Sequence, residues 1–218
     1  MRILFIIISI LGQSCTKKAI QHPKEIMTQM TSILGKPVYL RIFKQEHILE
    51  LWYQDRSTYK LYKTFDICTW AGSLGPKLKE GDGQSPEGFY SISTKQLKPD
   101  SKYHRAFNLG FPNTYDKAHK RTGSYLMVHG GCVSIGCYAM TDPVIDQIYT
   151  LVEAALNNGQ KTFSTHIFPF KMTNRNMDKY KHHQWINFWR NLKEGYDFFE
   201  KSKVPPKVKI VTRQYIFQ

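Results

Sequence analysis

The chain reads as a β-rich α+β domain, and three observations lead there. Runs of strand length, alternating or continuously apolar, fill the first half; helical periodicity is confined to a short opening segment and to the later part; a glycine- and proline-rich stretch interrupts them. The 218 residues suit one domain with appendages, and a globule of that size buries roughly 70% of its unfolded surface. Hydrophobic residues at 41%, aromatics at 14% and charged residues at 22% exclude a disordered chain, a collagen and a coiled coil. Four cysteines are too few for a disulfide-stapled scaffold.

Arg2 precedes an apolar run of nine residues, Ile3–Leu11, broken only by Ser9, which fits a signal-peptide core and falls well short of the roughly 20 that span a bilayer. Gly12-Gln13-Ser14 and Cys15 follow, so residues 1–15 are read as an export signal. Cys15 resembles the acylated cysteine of a bacterial lipoprotein, with ordinary cleavage or an uncleaved anchor as the alternatives. Residues 16–35 form a linker and a short helix, in which Ile26, Met30, Ile33 and Leu34 share one face and Gly35-Lys36-Pro37 ends it. Val38–Lys44, His47–Gln54 and Thr58–Cys68 read as a β-meander, the third placing Tyr59, Leu61, Lys63, Phe65 and Ile67 on one face. Gly72–Gly88, with five glycines and two prolines, is a long loop, a kind usually functional or disordered in compact domains. Phe89–Ser93 and Tyr125–His129 are further strands, with turn residues at Gly110 and Pro112-Asn113 between them. Asp142-Pro143 caps a helix whose buried stripe is Ile145, Ile148, Val152, Ala155 and Leu156, stopped by Asn157-Asn158-Gly159. Thr162–Phe168 is a strand, His183–Lys201 a helix broken by Pro205-Pro206, and Lys207–Phe217 a terminal strand. Residues 171–218 make a basic helical extension ending in a strand.

The formal net charge is +14, of which residues 161–218 carry +8. Such a field concentrates nucleic acid, an anionic membrane or a carboxylate-rich polymer. An exported protein meets little nucleic acid, which leaves the other two. Export places the protein in the periplasm or cell envelope, held to the membrane through the N-terminal anchor.

Chemistry concentrates in residues 125–142, YLMVHGGCVSIGCYAMTD. A strand delivers His129, and one chain reversal brings Cys137 back towards it. A thiolate nucleophile needs a base or a positive field, and His129 supplies either. Gly136 allows close backbone approach, and the amides around Gly136–Tyr138 could hold a developing oxyanion. A His129–Cys137 ion pair would hold the thiol pKa below its free value of about 8.5. Three other readings stand beside catalysis: a structural Cys132–Cys137 disulfide, a zinc site of His129, Cys132 and Cys137 that lacks a fourth ligand nearby, and a satisfied core histidine.

His129-Gly130 followed by Ser134-Ile135-Gly136-Cys137 resembles the catalytic signature of the YkuD-type L,D-transpeptidases, and the uninterrupted VHGGCVSIGCYAMTD is similar to the compact YafK branch. The likeness extends to GDGQSPEGFY (81–90), FNLGFPNTYD (107–116) and Arg121-Thr122-Gly123, covering roughly residues 36–170. It implies a β-sandwich-like catalytic domain with peripheral and C-terminal helices and no metal or organic cofactor. It implies peptidoglycan stem peptides as substrate, with a wall-linked protein as a further partner. Carried over by position, Cys137 is the nucleophile, His129 its base, and Gly130 or Ser134 the group that orients the imidazole. Gly136 and Tyr138 join the site through the turn. Ile135 replaces a histidine common in the family, and Ala139 an arginine that contacts substrate carboxylate, for which Arg121 is the candidate substitute. The reaction expected is attack on a stem-peptide amide next to diaminopimelate, with the acyl group passed to an amine. Hydrolysis, as a carboxypeptidase or an amidase releasing peptide or protein from the wall, is the alternative within the class. A non-catalytic wall-binding module with structural Cys132 and Cys137 is the alternative outside it.

Overall fold

The computed structural model describes residues 23–218, with side chains from Thr28 onward; the expected export signal and Cys15 lie outside these residues. Helix α1 (Pro23–Ile33) leads into strands β1 (Val38–Phe43), β2 (Ile48–Asp55) and β3 (Thr58–Asp66), the expected meander. After a long loop come β4 (Gly88–Ile92), β5 (Leu97–Ser101), β6 (His104–Asn108), the short helix α2 (Thr114–Ala118), β7 (Met127–His129) and β8 (Tyr138–Ala139). Helix α3 (Asp142–Asn157), strand β9 (Phe163–Phe168), helices α4 (Asn174–Lys179) and α5 (Ile186–Ser202), and strands β10 (Val208–Val211) and β11 (Gln214–Phe217) complete the chain.

Two sheets pack against each other. One runs β3-β2-β1-β9-β4 with β1 and β9 parallel, and the other runs β5-β6-β7-β8 with β7 and β8 parallel. Between them lies an apolar core: Val38, Leu40 and Ile42 of β1 and Ile167 of β9 meet Phe107 of β6, Val128 of β7 and Ile145, Ile148 and Val152 of α3. Burying such side chains contributes about 1.5–3 kcal/mol each. β1, VYLRIF, is buried along its whole length because the other face of its sheet is covered too. There Phe43 and Phe168 pack against Trp189, Leu192 and Tyr196 of α5 and Tyr215 of β11.

Several expectations from sequence need correction. In β3 the register against β2 shifts between Leu51 and Trp52, so Tyr62 is an extra residue and the single face read from Tyr59 to Phe65 is split. Tyr59 meets the ring of Tyr39 on one side, Phe65 enters the inter-sheet core on the other, and Leu61 is exposed. Residues 207–217 are a hairpin rather than one strand, reversed at Thr212 and Arg213, whose φ values of +48° and +63° belong to a tight primed turn. The β5–β6 hairpin had no clear sequence signal, since KPDSKYH reads as loop. Residues 171–218 are integrated with the domain, because α5 and the terminal hairpin close the second core.

Candidate active site

The four-stranded sheet builds the site. The pairing of β7 with β8 sets Val128 beside Tyr138 and His129 beside Ala139, which puts Cys137, just before β8, across from Met127. With strands about 4.8 Å apart and side chains alternating, His129 and Cys137 emerge on the same face as diagonal neighbours. Both line a cavity of about 830 Å³ whose other walls are the tip of the 72–88 loop, β5 with its turn, and residues 124–127.

The sulfur is held by the edge of β7. The Met127 amide donates to Cys137 Sγ at 3.4 Å, and the thiol donates to the Tyr125 carbonyl at 3.5 Å. Burial pushes the Cys137 thiol pKa up, while the Met127 hydrogen bond and the charge of Lys77 pull it back in part. Burial also lowers the His129 pKa, against the opposing effect of its bond to Gly130. Both directions lean towards a neutral thiol and a neutral imidazole rather than an ion pair.

His129 Nδ1 lies 2.5 Å from the Gly130 carbonyl. A carbonyl only accepts, so Nδ1 carries the proton and Nε2 keeps a free lone pair, the tautomer a general base requires. The Tyr103 ring covers the imidazole at 4.9 Å between centroids. Of the two orienting candidates, Gly130 is thus the one that bonds the ring. Ser134 acts on the turn instead. Its hydroxyl donates to the Cys137 carbonyl at 2.8 Å and accepts the Gly136 amide at 3.0 Å, which closes the turn. The Gly136 amide is thereby occupied and does not serve as an oxyanion donor in this state.

Asp142 is the first residue of α3 rather than its cap, which is Thr141. Its carboxylate reaches across to accept the Gly131 amide at 2.8 Å, and a Cβ on Gly130 would stand 2.5 Å from that same oxygen. Gly130 is required because the helix end presses on it.

Two substrate-binding candidates are displaced. Arg121 is buried outside the cavity, where it bonds Asp116 at 2.9 Å and lies over the rings of Tyr115 and Phe188, so it has no free face for a substrate. The Tyr138 ring points into the core and donates its hydroxyl to the Pro86 carbonyl at 2.7 Å. A disulfide joins Cys68 to Cys132 with Cα atoms 5.3 Å apart, which leaves Cys137 a free thiol. That bond removes Cys132 from both the zinc set and the Cys132–Cys137 bridge.

Two further groups lie near the site: Ser85, within the 81–90 stretch of the resemblance, and Lys77, which the sequence did not single out. Ser85 donates to the Cys137 carbonyl at 3.1 Å, from a loop end held by the fully buried Lys44. Lys44 donates to the carbonyls of Ser73, Gly75 and Ser85 and pairs with Glu87, which also accepts from Trp189 Nε1 at 2.9 Å. Lys77 lines the cavity itself. A basic residue buried in a distant loop gives no local signal.

Comparison with known proteins agrees with the resemblance. The L,D-transpeptidase catalytic domain family, YkuD, matches residues 37–157. YafK of Escherichia coli strain K12, provisionally named an L,D-transpeptidase, is 50% identical over 184 residues, which cover 84% of this chain and 75% of that protein. The YafK of Escherichia coli O157:H7 matches to the same extent, at 50% identity. Among solved structures, a point mutant of the helical cell shape determining protein Pgp2 of Campylobacter jejuni aligns with a TM-score of 0.50 at 17% identity, covering 84% of this chain and 78% of that one, a likeness of fold.

Proposed function

The chain belongs to the YkuD L,D-transpeptidase family, and from that membership we propose that it is a cysteine acyltransferase acting on peptidoglycan stem peptides, with Cys137 as nucleophile and His129 as base. The observation that carries this reading is the shared cavity: a free thiol and an imidazole, the latter fixed by Gly130 with Nε2 unprotonated, open onto one space.

Cys137 sulfur attacks the carbonyl carbon of an amide next to diaminopimelate while His129 Nε2 accepts the thiol proton. Proton transfer accompanies attack, in keeping with a thiol pKa raised and an imidazole pKa lowered by burial. The imidazolium then returns the proton to the leaving amine, and a thioester remains on Cys137. An incoming amine, deprotonated by His129, resolves the thioester as a transpeptidation; water in its place gives hydrolysis. Ser134 and Ser85, both on the Cys137 carbonyl, keep the sulfur aligned through these steps. The signal-like N-terminus supports action in the cell envelope, where a +14 charge suits a carboxylate-rich polymer.

The test is mass spectrometry of defined muropeptides incubated with wild type and Cys137→Ala, with and without an added amine acceptor. The expected result is turnover by wild type and none by the variant, at unchanged thermal stability. Turnover that persists in Cys137→Ala refutes the assignment. The kcat/KM profile tests the neutral pair: its acid limb should lie below the ordinary histidine value of about 6.5, since the base is lost only when His129 protonates. Its alkaline limb should lie above the ordinary thiol range.

A further inference from the structure

Lys77 is an unusual cavity residue, a lysine with only 5% of its side chain exposed. Its ammonium donates to the Lys79 carbonyl at 3.0 Å and to Asp82 Oδ1 at 2.5 Å. An ammonium has three donors, and these contacts account for two. The Asp82 carboxylate does not belong to Lys77 alone, since it also accepts the backbone amides of Leu78, Lys79 and Gln84. Asp82 therefore divides its acceptor capacity among the ammonium and three amides, and one Lys77 donor is left for a further acceptor.

The surroundings fit that role. Lys98 and Lys102, the other lysines of the cavity wall, are solvent-exposed and screened, and the exposed Glu80 and Asp100 offset them. Gly123 makes the placement feasible: a Cβ there would lie 2.7 Å from Lys77 Cε, at a backbone φ of +152°. Lys77 and Cys137 line the same cavity, and the charge of Lys77 favours the Cys137 thiolate.

We propose that the Lys77 ammonium is an anion-receiving site beside Cys137 that takes a carboxylate of the acyl donor. The identity of the donor rests on the function proposed above, whereas the anion site does not. Lys77 thereby takes the part expected of Arg121, whose guanidinium is held by Asp116.

Two reagents of nearly equal size, anionic iodoacetate and neutral iodoacetamide, read the site directly through alkylation of Cys137. In wild type the rate ratio of iodoacetate to iodoacetamide should exceed that of the unfolded chain by about tenfold, the effect of one charge-assisted hydrogen bond. Lys77→Met should collapse the ratio, Lys77→Arg should restore it, and Gly123→Ala, which displaces the stem while keeping the charge, should lower it. A wild-type ratio equal to that of the unfolded chain overturns the proposal, and that measurement needs no variant to fold. A folded Lys77→Met that slows both reagents equally also overturns it, because Lys77 then acts on the thiolate alone. On peptides, Lys77→Met should raise KM for a substrate with a free carboxylate beside the scissile amide much more than for its carboxamide analogue. Absence of any muropeptide turnover by wild type refutes the proposed function, while the alkylation ratio still decides the anion site.

Discussion

The two faces of the five-stranded sheet are both buried and differently made. The face towards the four-stranded sheet is lined by aliphatic and aromatic side chains, with the buried Thr165 between Phe163 and Ile167 as its polar exception, and the cavity opens at its rim. The opposite face, under α5 and the terminal hairpin, encloses charge. Arg41 bonds Glu50 at 2.7 Å and Glu200 at 2.6 Å, His166 bonds Tyr39 at 2.7 Å, and Lys44 pairs with Glu87. Buried ion pairs are poor sources of stability but strict about geometry, since each partner becomes a liability once the other is absent. The first face supplies the cohesion; the second fixes where the 72–88 loop meets Cys137.

Removing one charge from the enclosed face should have the largest effect. Lys44→Met leaves Glu87 buried beside Trp189 without its cation and should cost about 3–5 kcal/mol in urea unfolding. Lys44→Met combined with Glu87→Gln should recover at least half of that loss. A single variant as stable as wild type would mean that the polar face is incidental and that the contrast between faces has no energetic content.

The cavity side is tied down covalently instead. Opening the Cys68–Cys132 bridge, which spans 64 residues of sequence, should cost about 2–4 kcal/mol in the Cys68→Ser/Cys132→Ser double variant. Cys68→Ser alone should be less active than the double variant under oxidising conditions, because the freed Cys132 pairs wrongly with Cys137, and reductant should restore it. Equal activity of the two would show that the turn keeps these thiols apart without help.

The smallest effect is one of pH. Burial, with the charge of Arg41 behind it, lowers the His166 pKa to about 3. As pH falls below about 6.5 the unfolded chain binds a proton that the folded chain refuses, so stability declines by up to about 1.4 kcal/mol per unit. The loss ends only near the folded value. His166→Asn keeps an acceptor for Tyr39 without the titration, and its stability should fall less between pH 7 and pH 5, by about 2 kcal/mol. Parallel curves would locate the acid sensitivity elsewhere.

The legibility of the molecule follows the same division. Cys137, His129 and the turn between them were readable because the whole device lies within one short segment, where a strand, glycines and a capped helix each leave a local mark. The inter-sheet core was readable from the stripe of α3. The second face was not: VYLRIF looks like any apolar strand, and nothing in Arg41 or Lys44 tells that partners arrive from Glu200 or Glu87. The disulfide partner of Cys132 was equally hidden, since its contact with Cys68 is made by tertiary structure. Arg121 misled for the converse reason: its partner Asp116 is near in sequence, and only the fold shows the two enclosed together.

The placement of the bridge also bears on biosynthesis. A chain leaves the ribosome or a membrane channel from its N-terminus, so Cys68 emerges before Cys132, and Cys132 before Cys137, the last cysteine in the sequence. Of the three cysteines among the described residues, the two joined by the bridge are thus the two that emerge first. Order of emergence then favours the pairing that leaves Cys137 free, since Cys68 and Cys132 can meet before a third thiol competes. A circular permutant that presents Cys137 ahead of Cys68 should lose that bias and form more mispaired product during oxidative folding, read as a lower yield of free Cys137 thiol.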